Sequence, residues 1–342
     1  MMRKYAHVGY PKAASTWLQV YLFPRHPDLH HLGRHNGDEI VDDDLRIALW
    51  NDLIARPSLL YDPRETAATF ERLFAAAAAR KAVASGISQE VLTLSLVGSV
   101  DLTERARRLR GAMGEDTTIV LVVRNQLDWI RSTFCGLLKE GGMPLGWSEF
   151  LAYFYVEQDQ SPFSSLFYDD VWALYAELFG ERNVHLVPFE LLKRDAGQFA
   201  AKVCDAIGVR PITDLPSTRI NEAPSAKALT TALGINQKAA FYFGSHQFRR
   251  PLAFAAAPMY RKRLGLEPPT WAAEERAKSL FVMENLEKLV RQAEQGGGTV
   301  PAMDTTFPDE YERAFVRAYA PHNRRLMQRA GVDLLQFGYP VA

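Results

Sequence analysis

Cysteine is almost missing, with Cys135 and Cys204 the two present in 342 residues. Both fall in stretches whose apolar spacing is helical, so two buried free thiols are expected and no disulfide framework of the kind that staples small secreted domains. Excess charge of either sign is missing too, because Lys plus Arg and Asp plus Glu stand at 40 each. No global field would hold such a chain on a nucleic-acid backbone or an anionic bilayer, so nucleic acid is not an expected partner and any anion site must be local. Long apolar runs are absent as well. No stretch reaches the roughly 20 residues of a membrane-spanning helix, and residues 1–10 carry Arg3 and Lys4 without the apolar core or small-residue cleavage site of a signal peptide. A cytoplasmic protein is the expectation, with assembly into a homo-oligomer left open.

What is present is ordinary globular material: 47% hydrophobic and 23% charged residues, enough to fold without a partner. One domain over 1–342 is expected, with an α/β core over 1–210 and a mostly helical cap with a C-terminal helix over 211–342. Residues 5–10 form a short apolar run ending at Pro11, and Ser15 and Thr16 then open a helical pattern through Trp17, Leu18, Val20, Tyr21 and Leu22. Residues 81–87 and 117–123 are apolar and β-branched without strict alternation, as strands covered on both faces are. A fourth strand is expected at 183–189, before a helix over 195–207 that Gly208 closes. Strands alternating with helices predict an α/β fold with a central parallel sheet flanked by helices, doubly wound with right-handed crossovers. Between Pro211 and Thr270 six further prolines, Pro216, Pro224, Pro251, Pro258, Pro268 and Pro269, break up helical, aromatic sequence. The last helix is expected over 309–330, before Gly331.

Ligands of such sheets bind beyond the carboxyl ends of the strands, so the loop after the first strand matters most. That loop is Gly9-Tyr10-Pro11-Lys12-Ala13-Ala14-Ser15-Thr16-Trp17. Against the phosphate-binding pattern G-x-x-x-x-G-K-[ST] it keeps Gly9 and Thr16 but has Ala14 for the second glycine and Ser15 for the lysine. The cation comes earlier, at Lys12, while small residues remain to bring backbone N–H groups near an anion. The local alternative is a strand-to-helix turn capped by Ser15 or Thr16. A second stretch, Val122-Val123-Arg124-Asn125-Gln126-Leu127-Asp128-Trp129-Ile130-Arg131-Ser132, puts Arg124 at a strand end and Ser132 in the helix that follows.

The stretch from Tyr10 to Leu18 resembles the phosphosulfate loop of the sulfotransferases that use PAPS (3′-phosphoadenosine 5′-phosphosulfate), whose cytosolic members carry Pro-Lys-Ser-Gly-Thr-Thr-Trp. Arg124 and Ser132 resemble the family's 3′-phosphate motif, with Asn125 and Asp128 where Asn-Pro-x-Asp is common and Gln126 in place of the proline. Fainter echoes lie at 186–192, 219–222, 323–326 and 338–340. The resemblance implies that PAPS is the donor, bound by Pro11, Lys12, Ala13, Ala14, Ser15, Thr16, Trp17, Arg124 and Ser132. It also implies catalysis by Lys12 at the leaving phosphate, with no metal required. For the general base it points to Glu90, since 84–90 supplies a glutamate and no histidine. Glu90 also fits a capping glutamate in a first turn. The acceptor it implies is a hydroxyl or amine on a small molecule, glycan or lipid.

His30, His31 and His35 cluster after the first helix without the spacing of a zinc helix, which points to an exposed loop or an acceptor contact ahead of a metal site. Residues 241–263 interleave aromatics with cations, as an acceptor groove, a nucleotide cover, a membrane-resting surface or a helical hairpin would. Two rival readings are a P-loop nucleotide kinase, which would want the missing lysine and a metal-binding aspartate, and a non-catalytic nucleotide-binding scaffold.

Overall fold

The run Thr-Ile-Val-Leu-Val-Val at 118–123 is apolar on both faces after Thr118, and it forms a strand buried from Ile119 to Val123 within a five-stranded parallel sheet. A computed structural model describes residues 2–33, 42–94, 100–139, 143–212, 224–237 and 301–341, together with 215, 288, 291 and 292. The strands are β1 (Arg3–His7), β2 (Leu29–His31), β3 (Ala84–Ser88), β4 (Thr118–Val123) and β5 (Val184–Pro188), in the spatial order β2-β3-β1-β4-β5. All four pairings are parallel. This is the expected α/β architecture, with the helices Tyr168–Phe179 and Ala196–Ile207 packed on β4 and β5. From β1 the chain moves out to β2, returns to β3, then crosses to the other side at β4. The topological switch therefore lies beside β1, where sheets of this kind open a crevice for ligands.

The chain forms two compact units. The first comprises 1–126, 158–220 and 314–342 and contains the whole sheet. The second comprises 127–157 and 221–313. An aromatic cluster builds it: Phe134 lies 5.0 Å from Trp147 and 5.2 Å from Phe150 between ring centres, and Phe307 stands edge-on to Trp147 at 5.1 Å. Trp147 Nε1 donates to the Thr306 carbonyl at 2.8 Å, satisfying the polar end of a buried indole.

Element ends follow local chemistry. Asp195 caps the Ala196–Ile207 helix by accepting from the Gln198 N–H, and Gly208 closes it in the left-handed conformation with φ 78°. The terminal helix spans Asp309–Ala330 as expected. β1 sits two residues earlier than the apolar run suggested, although Val8 and Tyr10 still donate to the Val120 and Val122 carbonyls. β2 was not expected; it places His30 and His31 on an edge strand instead of an exposed loop. His31 is buried, and the Tyr5 hydroxyl meets its Nδ1 at 2.9 Å. Of the two thiols Cys204 is buried, whereas Cys135 is partly exposed. His35, residues 219–222 and residues 241–263 lie outside the described residues. Among those described, no helix is long and apolar enough to cross a membrane.

One buried carboxylate has a pH consequence. Asp52 pairs with Arg56 at 2.8 Å and is buried, and burial raises its pKa from 3.8 to about 6 against the pull of Arg56 and Arg108. A carboxyl raised in the folded state binds its proton more tightly there than when unfolded. The stability that goes with the neutral form is therefore complete below pH 4 and is lost as pH climbs through about 6. Asp52→Asn should raise the melting temperature at pH 7.5 by a few degrees, about 1–2 kcal/mol after allowance for screening and the lost ion pair. At pH 4 the gain should vanish, and thermal melts giving the same gain at both pH values would refute the assignment.

Candidate functional site

Backbone conformation marks the loop after β1. Of the three non-glycine residues with positive φ among those described, two lie here, Lys12 at 63° and Ala14 at 68°. Each costs roughly 1–2 kcal/mol relative to a right-handed residue, so two in three positions must be held by the surrounding structure. Loops curled in this way are the stock from which concave N–H cradles for anions are made. Ala14 stands where glycine is usual in the resembling pattern. The substitution therefore carries conformational strain in addition to a change of size.

The helix beginning at Ser15 has Ala14 as its cap residue, and no side chain caps it. Ser15 instead turns back, its Oγ donating to the Tyr10 carbonyl at 3.4 Å. The simple capping role is thus not what Ser15 does. Ala13, Ser15 and Trp17 are buried, Pro11, Ala14 and Thr16 are half-buried, and Lys12 is exposed. Trp17 packs edge-on against Phe199 at 5.8 Å and Tyr21 at 6.0 Å, which anchors the helix behind the loop.

Beneath the loop lies a histidine that the sequence did not single out. His7 ends β1, is fully buried, and is held by burial at a pKa of about 3, hence neutral. Its Nδ1 meets Ser88 Oγ at 2.8 Å, and its Nε2 has no partner among the described residues. A Cβ on Gly9 would sit 2.5 Å from that nitrogen, so only glycine lets the loop lie this close to the imidazole.

Arg124 follows β4, the neighbour of β1, and its Nη1 donates to the Lys12 carbonyl at 2.8 Å. The two motifs, 112 residues apart in sequence, are therefore in contact at the same end of the sheet. The guanidinium also lies 4.9 Å from the centre of the Phe189 ring, which Lys193 approaches from 5.2 Å. Tyr168 fixes the turn by donating its hydroxyl to the Arg124 carbonyl at 2.6 Å.

The faint sequence echoes at 186–192, 323–326 and 338–340 converge on this same turn. Buried Glu190 accepts from the Asn125 N–H at 3.0 Å and from the Tyr339 hydroxyl at 2.8 Å, and Asn125 Nδ2 donates to the Gly338 carbonyl at 2.5 Å. Gln126, where a proline was usual, forms a reciprocal amide pair with Asn323 at 2.8 and 3.1 Å. Burial outweighs these hydrogen bonds in setting the Glu190 carboxyl above its ordinary range. Ser132 lies partly buried on the Gln126–Lys139 helix, in the second unit.

One solved structure similar to this chain is a sulfotransferase. It comes from Alicyclobacillus acidocaldarius, with 21% sequence identity, a TM-score of 0.46, and an alignment covering 71% of this chain and 96% of that one. No protein-family model and no curated protein matches the chain. Chemistry has to be read from the residues themselves.

Glu90 opens a turn, Glu90–Leu92, directly after β3, the other neighbour of β1. The cap of that turn is Gln89, whose side chain accepts from the Val91 N–H, so the capping role expected of Glu90 belongs to its neighbour. Glu90 itself is half-buried. A separate cluster of Asp169, Asp170 and His322 has metal-ligand spacing, but Arg325 Nε donates to Asp169 at 2.6 Å and supplies the positive charge there.

Proposed function

We propose that the protein transfers a sulfuryl group from PAPS to a hydroxyl or amine on a small-molecule, glycan or lipid acceptor. The observation that carries this reading is the 2.8 Å hydrogen bond from Arg124 to the Lys12 carbonyl, which joins two anion-binding motifs at the mouth of the sheet. A bisphosphorylated nucleotide offers two anionic groups, and two adjacent cationic loops match that need. Lys12 and the backbone of 13–16 would hold the phosphosulfate, and Arg124 would hold the 3′-phosphate.

The chemistry asks for positioning and charge stabilisation. The bond from sulfur to the bridging phosphate oxygen breaks, the acceptor oxygen or nitrogen bonds to sulfur, and PAP (the 3′,5′-bisphosphate) leaves. Lys12 meets the charge that grows on the bridging oxygen. Glu90, on the turn beside the loop, takes the acceptor's proton.

Binding separates this reading from its rivals. PAP should raise the melting temperature by several degrees at a hundredfold excess over its Kd, about 2.7 kcal/mol, in the presence of EDTA. A chain stabilised by ATP with magnesium and indifferent to PAP would be a kinase. With PAP binding established, an acceptor screen with labelled PAPS tests turnover; a broad screen with no transfer would leave a nucleotide-binding scaffold.

A further inference from the structure

In-line transfer is sensitive to register, since a displacement of about 1 Å between reacting groups can cost on the order of 10²-fold. The donor loop and the Glu90 turn stand on separate strands, β1 and β3, and a buried polar brace ties them together. Thr93 Oγ1 lies 3.0 Å from the Gly9 carbonyl and 2.9 Å from the Glu90 carbonyl, so one hydroxyl proton is shared between the residue that opens the donor loop and the candidate base. On the far side of the loop, Gln19 Nε2 donates to Ser88 Oγ at 2.9 Å, and the same oxygen meets His7 Nδ1 at 2.8 Å. The Gln89 N–H closes the set on the His7 carbonyl at 2.9 Å. His7, Gln19, Ser88 and Thr93 are all buried.

Packing alone does not ask for these groups. Four buried polar side chains in one place each carry a desolvation cost that apolar residues of similar shape would avoid, and the bonds they make run between the two loops. We propose that Thr93 is a positioning residue, holding the Glu90 turn in register with the donor loop, with Gln19 and Ser88 as the matching brace at the loop's other end. The proposal rests on the reading of this loop as the donor site. It predicts a link that a purely structural threonine would not make: occupancy of the donor loop should be felt in the 89–93 turn.

The probe is PAP, with hydrogen exchange of the Leu92 and Thr93 amides, which donate to the Gln89 and Glu90 carbonyls, as the readout. In the wild type and in Thr93→Ser, PAP should slow exchange of these amides at least tenfold. In Thr93→Val, which keeps the shape and loses the hydroxyl, PAP should bind within about threefold of wild type while the slowing disappears. Gln19→Met should give the same signature from the opposite end, so that one poorly folding variant does not decide the matter. Undiminished slowing in Thr93→Val or Gln19→Met with normal PAP binding would overturn the brace alone. Failure of the wild type to bind PAP would overturn the donor reading and the brace with it.

Discussion

Lys12→Ala is expected to leave PAP binding within about tenfold of wild type while lowering single-turnover transfer from labelled PAPS by about 10²- to 10³-fold. The split between the two effects is the informative part. In the proposed ground state the backbone N–H groups of 13–16 hold the phosphosulfate, and one exposed ammonium adds modestly to its affinity. In the transition state the bridging oxygen gains charge at a point that only the Lys12 side chain is proposed to meet, so the loss falls on turnover. Alanine is the right replacement because Lys12 sits at φ 63° and any non-glycine residue meets the same backbone demand there. Its carbonyl, which receives Arg124, is also retained. Glycine would relax the loop as well as remove the charge and would confound the two. Turnover near the wild-type value would remove Lys12 from the chemistry.

Much of the sheet was legible in the sequence because buried parallel strands need apolar runs, which 119–123 supplies without a break and 184–188 with His185 as its one polar residue. β2 was not legible. Three residues are too few to show a period, and its histidines read as polar loop until Tyr5 is seen to hold His31. The donor loop was legible as a motif, yet its strain was not, since nothing local announces that Lys12 and Ala14 turn left-handed. The turn at Arg124 shows the limit most clearly. Glu190, Asn323 and Tyr339 belong to segments that looked like disconnected echoes, and only long-range hydrogen bonds reveal that Glu190 holds Asn125, Asn323 holds Gln126 and Tyr339 holds Glu190. A brace such as His7, Gln19, Ser88 and Thr93 has no local signature at all, because each member is an unremarkable polar residue until its partner arrives from another strand.

Arg124→Ala is expected to weaken PAP by about 10- to 100-fold, the loss of a charge-assisted contact of roughly 1.5–3 kcal/mol, and to flatten the dependence of that affinity on salt. Arg124→Lys should recover only part of it. A guanidinium can spend one N–H on the Lys12 carbonyl and keep others for a phosphate, whereas an ammonium offers a compact charge without the planar fork. The arrangement also keeps the cation in place before any nucleotide arrives: the Phe189 ring lies 4.9 Å from it, and Tyr168 and Glu190 hold the C=O and N–H of the peptide that follows it. Affinity should therefore suffer more than folding when the side chain is removed. Titration calorimetry at two ionic strengths, alongside melting curves of the unliganded variants, separates these effects. PAP affinity unchanged in Arg124→Ala would move the 3′-phosphate away from this turn and leave the contact with Lys12 a structural one.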